Sequence, residues 1–416
     1  MEKAFLEELY VTAVRAADPE SAVAKRLPKH PRGRTVVIGA GKAAVPMLRG
    51  LRSNWDGSLS GVIVAQEAQN EDRSDLRVYE ASHPLPDERG LKAAAQLRNA
   101  IKGLSEEDLV IALISGGGSA LLPAPPAGFT LADEQALGTV LLRSGAPIAA
   151  VNAVRKHFSD IKGGRLAAST KAKMHTLVVS DIPGDVAAQV ASGPTIPDEA
   201  TRQDALEAIR YYHLPIPAHV LSHIASAEAE APKPSDPIFA GHEHAVVASS
   251  RLSLNMAADL ARRQGVRAAI LSDALQGEAR EAGGFHAALT REIREHAQPF
   301  SAPVVLLSGG ETTVTVRGRG KGGRNGEFLL AWAIAMDGLP GVSAIAADTD
   351  GIDGSEHNAG AFADGTTAQR LRDRGLDPRQ CLADNNSYAA FSALGDLLVT
   401  GPTGTNVNDF RAIFIR

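Results

Sequence analysis

The feature that most limits what this chain can fold into is a regular alternation of short β-branched apolar runs with longer stretches of helical periodicity. Runs at 35–38, 61–65, 76–79, 108–114, 176–179, 245–248, 268–271, 304–307 and 341–346 read as strands; helical patterns fall between them at 42–51, 90–103, 131–143, 152–165, 251–264 and 277–296. Such alternation predicts the α/β class with mostly parallel sheets. Thr130, with Asp133 three residues on, is a capping-box candidate at one helix start. Several runs empty into Gly, Ser, Asp or Lys, and strand C-termini are where α/β sheets place ligands.

At 416 residues the chain is too long for one core, since domains run at roughly 150 residues. Residues 228–237 hold three prolines and no apolar periodicity, which places a linker there and divides the chain into 1–237 and 238–416. Residues 245–273 read as a βαβ unit of the second α/β domain; the strand-like 410–416 could pack on either domain.

Composition removes several classes. Lys+Arg 43 against Asp+Glu 48 gives −5, so the chain lacks the global charge of a nucleic-acid or membrane-surface binder. A single cysteine, Cys381, excludes an internal disulfide framework and Cys-rich zinc sites. The acidic, amphipathic start reads as a helix and not a signal, and the uncharged stretch 109–132 is broken by three consecutive glycines and by prolines. The expectation is a cytoplasmic protein that binds neither nucleic acid nor membrane. A homo-oligomer stays open. Glycine is in excess, 40 residues, and aromatics are only 4%, which directs attention to the glycine clusters.

Six constellations could carry chemistry. Residues 36–44 run a strand into Gly39-x-Gly41-x-x-Ala44, a weak dinucleotide-type turn whose expected acid is poorly placed, Glu67 being the nearest. Lys42 sits at a helix start, where the macrodipole disfavours a cation unless an anion is bound; a solvated lysine is the competing reading. Ser115-Gly116-Gly117-Gly118-Ser119 can form a backbone anion nest with two hydroxyls, or a plain flexible turn. Asp181 and Asp185 follow a strand end and could hold Mg²⁺ or accept a proton, with Asp-turns as the alternative. Residues 317–326 hold four cations and five glycines ahead of a helix, including Gly322, Gly323, Arg324 and Asn325, and suit a phosphorylated ligand. Asp348, Asp350 and Asp353 follow another strand, out of register with an EF-hand, and suit Mg²⁺ with phosphate. Residues 400–409, with Asn406, read as a site loop or an ordinary one. Arg155, Lys156, Lys162 and Arg165 look more like a solvated helix face than a site.

The motifs IGAGKAA (38–44), SHPLPDERG (82–90), LISGGGSALLPAP (113–125), NAVRKHFSDIKGGRLA (152–167), VSDIPGD (179–185), ASGPTIPD (191–198), LLSGGETTVTV (306–316), GKGGRNGEF (320–328), ADTDGIDG (347–354) and TGPTGTNVND (400–409) resemble, in order, those of the glycerate 2-kinase family. Its C-terminal portion is known as MOFRL, and some members are labelled hydroxypyruvate reductases. The resemblance implies a Rossmann-like N-terminal domain, a smaller MOFRL-type C-terminal domain and an active site in the cleft between them. It implies ATP-dependent phosphorylation of D-glycerate at its 2-hydroxyl, with Mg²⁺; NAD(P)H-dependent reduction of hydroxypyruvate is the alternative. Lys42 and Arg324 are carried over as catalytic and substrate-binding residues. The expected roles are then Asp181 as proton acceptor and Asn406 in substrate binding. Ser115, Gly116, Gly117, Gly118, Ser119, Gly322, Gly323 and Asn325 are expected around the nucleotide, with Asp185 and Asp350 on the metal.

Overall fold

A computed structural model describes residues 2–67, 71 and 73–416. It contains two six-stranded sheets, each with its own compact unit. The first unit comprises Pro19–Ser180 and Val186–Val247, and the second Asp181–Asp185, Ala248–Arg416 and the N-terminal segment through Asp18.

In the first unit, β1 (Thr35–Ala40), β2 (Leu59–Ala65), β3 (Leu76–Glu80), β4 (Leu109–Ser115), β5 (Lys173–Val179) and β6 (Glu243–Ala248) are ordered β3-β2-β1-β4-β5-β6. The pairs β3–β2, β2–β1, β1–β4 and β4–β5 are parallel. Every residue of β1 and β4 is buried, which is why these strands read as unbroken apolar runs with no alternation. The strand order reverses between β1 and β4, so their C-terminal ends, at Ala40 and Ser115, flank the switch point where such sheets receive ligands. The expected capping box is present: Thr130 and Asp133 bond reciprocally ahead of the helix Leu131–Arg143.

The second unit departs from the expectation of a mostly parallel sheet. Its strands are β7 (Arg267–Leu275), β8 (Val304–Gly310), β9 (Val342–Asp348), β10 (Gly360–Asp364), β11 (Leu397–Leu398) and β12 (Asp409–Ile415), ordered β11-β10-β9-β12-β8-β7. Only β7–β8 is parallel; β12 runs antiparallel to β8 and β9, and β10 antiparallel to β9 and β11. The reason is connectivity. No helix lies between β9 and β10, so the chain returns as antiparallel strands do, and the last strand inserts between two earlier ones. Strand β12 divides its side chains by period two. Phe410, Ala412 and Phe414 face the helices Glu2–Ala16 and Ser250–Arg263, while Ile413 and Ile415 join the core under Ala279–His296 and Arg324–Ala335.

The boundary expected at 237/238 also moves. Residues 228–237 are not a free linker: Arg165 donates to the carbonyls of Ala229 and Glu230 (2.6 and 3.0 Å), and Lys233 pairs with Glu230 at 2.8 Å. The chain stays with the first sheet through β6 and passes to the second unit at Ala248, so 245–273 is not one βαβ unit. Nor does the N-terminal helix belong to the first unit. Its Leu6, Leu9, Tyr10 and Ala13 pack against β12 and the helix Ser250–Arg263. Among the described residues no helix is long and apolar enough to cross a membrane.

Candidate functional site

At the switch point of the first unit, β1 ends and Gly41 takes φ +132°, a region that excludes side chains and lets the turn lie against Ser115. Four successive amides are engaged within the protein. Gly41 N donates to Val64 O (3.2 Å), Lys42 N to Gly116 O (2.9 Å), Ala43 N to Ser115 Oγ (2.9 Å) and Ala44 N to Gly41 O (3.2 Å). This turn therefore does not offer its backbone donors to a pyrophosphate. The Lys42 side chain emerges from it into a groove shared with Gln66, Ser82, His83 and Arg89. Burial, with Lys42 and Arg155 nearby, lowers the proton affinity of His83.

Beyond β4, Ser115 is buried and bound to the Ala43 amide, and Gly117 adopts φ +81° to start the short helix Gly118–Leu121. Gly118 is needed for packing: a Cβ there would stand 2.7 Å from that of Ala191. Ser119 Oγ meets Ser192 Oγ. From there a polar chain runs inward: Ser192 Oγ donates to Asn152 Oδ1 (2.8 Å), Asn152 Nδ2 to Gln189 Oε1 (2.8 Å) and Gln189 Nε2 to Asp198 Oδ2 (3.0 Å), the carboxylate that also pairs with Lys156. The helix 152–165 charges are thus not a solvated face. Lys156 and Lys162 are almost fully buried, and Lys162 Nζ reaches Glu134 at 2.7 Å.

The second unit assembles its own site around Arg324, the first residue of the helix Arg324–Ala335. The guanidinium donates from Nε to Asp409 Oδ1 (2.7 Å) and from Nη2 to Asp348 Oδ2 (2.6 Å), with Glu311 at 3.6 Å. Two buried carboxylates thus share one cation, and they divide unequally. Asp409 also receives Arg411 and the Asn325 amide group, and its carboxyl stays below the usual range despite burial. Burial pushes the Asp348 carboxyl well above that range; Arg324 opposes this, while Asp350 and Asp409 reinforce it.

Asp353 occupies the helix N-terminus that the sequence reading reserved for phosphate. It accepts from Asn325 N at 2.9 Å and Gly326 N at 2.8 Å, capping the helix from a distant loop. The preceding glycine loop is likewise tied down. The amides of Arg317 and Gly318 donate to Asn385 Oδ1 (2.8 and 3.0 Å), Arg319 N to Asp384 Oδ1 (2.9 Å) and Lys321 N to Asn386 Oδ1 (3.2 Å). What faces the neighbouring open cleft is Gly322, Gly323 and Arg324, with Glu311, Thr312 and Asn385.

The remaining candidates gather beside this site. Asn406 Nδ2 donates to Asp350 Oδ2 at 3.2 Å, and Asn408 Nδ2 holds the carbonyl of Asp181 at 2.6 Å, which places the 181–185 loop with the second unit. The structure therefore brings together Arg324, Asn325, Asp348, Asp350, Asp353 and Asn406, and ties Arg324 and Asn325 to Asp409. Lys42 and Ser115–Ser119 belong to the first unit. Among the described residues no group of three or more His, Cys, Asp or Glu side chains stands in metal-binding geometry, so Asp185 and Asp350 do not form a ready-made cage.

Sequence reasoning reached Asp409 only as the end of the 400–409 loop and missed Arg411. The available signal was two opposite charges at i and i+2 in a strand whose other residues are apolar, which puts both on one buried face.

Comparison with known proteins agrees with this layout. Residues 5–225 match a family described as a domain of unknown function, DUF4147, and residues 304–409 match the MOFRL family. A protein of Thermotoga maritima named D-glycerate 2-kinase is 40% identical over 97% of this chain and 95% of its own. One of Agrobacterium vitis named putative hydroxypyruvate reductase is 47% identical over 99% and 94%. The crystal structure of a Thermotoga maritima glycerate kinase superposes with a TM-score of 0.90 at 39% identity, covering 100% of this chain and 99% of that one. On these grounds the chain belongs to the glycerate 2-kinase family, with a DUF4147 region followed by a MOFRL region.

Proposed function

We infer that this protein transfers the γ-phosphoryl group of ATP to the 2-hydroxyl of D-glycerate, giving 2-phosphoglycerate and ADP. The observation that favours this over NAD(P)H-dependent reduction of hydroxypyruvate is the closed turn after β1. All four amides from Gly41 to Ala44 are engaged inside the protein, so the G-x-G-x-x-A motif lacks the donors that hold a dinucleotide pyrophosphate. The near-full-length likeness to a D-glycerate 2-kinase supports the same reading.

Phosphoryl transfer asks the protein mainly for positioning and for charge stabilisation on the transferred group. Arg324, aligned by Asp409 and Asp348, is fixed at the mouth of its cleft and neutralises charge there. Lys42 is the second cation assigned to this task. The 2-hydroxyl oxygen attacks the γ-phosphorus, the bond to the β–γ bridging oxygen breaks, and the hydroxyl proton passes to Asp181. Ser119 and the amides after β4 are assigned to phosphate oxygens, Gly322, Gly323 and Asn325 to the nucleotide side of the second unit, and Asn406 to substrate.

By charge alone, the acid groups around Arg324 suit a divalent cation whose shell phosphate and water would complete. Asp348, Asp350, Asp353, Asp409 and Glu311 outnumber Arg324 and Arg411, and Asp350 and Asp348 would hold the ion from the protein side, with Asp185 as a further ligand. Mg²⁺ commonly takes one or two carboxylates and completes its shell with phosphates and water, and when bound it neutralises phosphate charge.

The test follows ADP release from D-glycerate, ATP and Mg²⁺, and separately NADH oxidation by hydroxypyruvate. NADH oxidation without ADP release overturns the kinase reading.

A further inference from the structure

The helix Ile148–Lys156 and the turn after it carry four cations, and three are answered. Lys156 pairs with Asp198, Lys162 with Glu134, and Arg165 donates to the carbonyls of Lys156, Ala229 and Glu230. The partly buried guanidinium of Arg155 makes no hydrogen bond or ion pair with any described residue. Glu134, the acid that acts on it electrostatically, has both oxygens occupied: Oε1 by Lys162 Nζ at 2.7 Å and Oε2 by the Ala124 amide at 3.0 Å. Its five N–H donors have no protein acceptor and are left to water or to a bound anion. It stands in the last turn of a helix, where a cation is favoured.

Arg155 lines a narrow surface cleft with Ser119, Pro84, Leu137, Phe158 and the paired Lys162. Lys42 and Arg155 both lower the proton affinity of His83, the residue before Pro84, while Lys42 itself lines the neighbouring groove. The floor is apolar and one carboxylate, Glu134, stands beside it. A multiply charged phosphate would be repelled by that acid and would find too few donors. A singly charged, planar carboxylate matches the fork of a guanidinium.

We propose that Arg155 binds the carboxylate of the hydroxy-acid substrate and so sets the preference for an acid over a neutral polyol. This rests on the kinase reading above and assigns the acceptor side of that reaction.

The experiment compares wild type, R155K and R155M. It measures kcat, KM for D-glycerate and KM for ATP, inhibition by the neutral glyceramide, D-glycerate binding by calorimetry without nucleotide, and melting temperature. R155M is expected to raise KM for D-glycerate, and weaken calorimetric binding, by roughly ten- to hundredfold. KM for ATP should stay within about twofold and R155K should fall between. The preference for D-glycerate over glyceramide should collapse in R155M. Because the free cation is unpaired, R155M should melt no lower than wild type. An unchanged KM for D-glycerate in folded R155M, a shift that falls on ATP, or a variant that fails to fold would each overturn the proposal. A wild type that binds D-glycerate but releases no ADP refutes the kinase reading alone, and the calorimetric comparison still decides the role of Arg155.

Discussion

Arg324 Nε donates to Asp409 Oδ1 at 2.7 Å, which ties the first residue of a helix to the first residue of the last strand across 85 positions of sequence. The cation is therefore oriented by the sheet and not by its own loop. Asp409 is at the same time the partner of the fully buried Arg411.

Removing either end of that pair has a distinct signature. Arg324→Ala should lower kcat on the order of 10²-fold or more, with Lys42→Ala acting similarly, because each removes a cation proposed to neutralise the transferring group. Asp409→Ala should instead destabilise the fold by about 3–5 kcal/mol, since it leaves Arg411 buried without its carboxylate. Steady-state kinetics and urea unfolding separate the two; near-normal turnover in both cation mutants would sink the catalytic assignment.

Asp353→Ala opens the N-terminus of the helix Arg324–Ala335 by leaving the amides of Asn325 and Gly326 unpaired. The expected cost is about 1–3 kcal/mol, read as a lowered melting temperature, with kcat falling as Arg324 loses its fixed origin. An unaltered melting curve would show that the cap is dispensable.

His286 predicts an acid limb of stability. Its Nδ1 lies 2.8 Å from the Ala282 carbonyl, so Nδ1 carries the proton and Nε2 accepts from Ser308 at 3.0 Å. Burial holds its pKa at about 4 against 6.5 for the free side chain. Between those values the unfolded chain is protonated and the folded one is not, so stability falls as pH drops through that window, by on the order of 3 kcal/mol in total. His286→Gln should flatten the dependence, as seen in denaturant titrations at several pH values.

Gly41→Ala combines a forbidden φ with a Cβ directed into Ser115. It should cost more than about 3 kcal/mol and close the approach beside Lys42. Gly145→Ala is the control: φ is +65° and nothing lies within 4 Å of its Cβ, so only about 1–2 kcal/mol of backbone strain is expected. Equal losses in the two variants would refute the role of the close approach.

The candidate site residues were legible along the chain because glycines and charges at strand ends are local signals. Lys42, Arg324 and Asp350 could be singled out by what immediately flanks them. What each residue pairs with could not. Asp353 caps a helix that begins 29 positions earlier, and Arg155 looked solvated because a lysine- and arginine-rich stretch carries no mark of what packs over it.

The alternation of apolar runs and helical periods by itself determined the α/β class, the wholly buried strands β1 and β4, and the capping box at Thr130. Only the tertiary structure decided strand direction in the second sheet, the passage between units at Ala248 and the home of the N-terminal helix. An apolar run has no direction, and Leu6, Leu9, Tyr10 and Ala13 specify a buried face without naming its partner. Which surface covers that face is set by packing between residues hundreds of positions apart, and so is which carboxylate answers which cation.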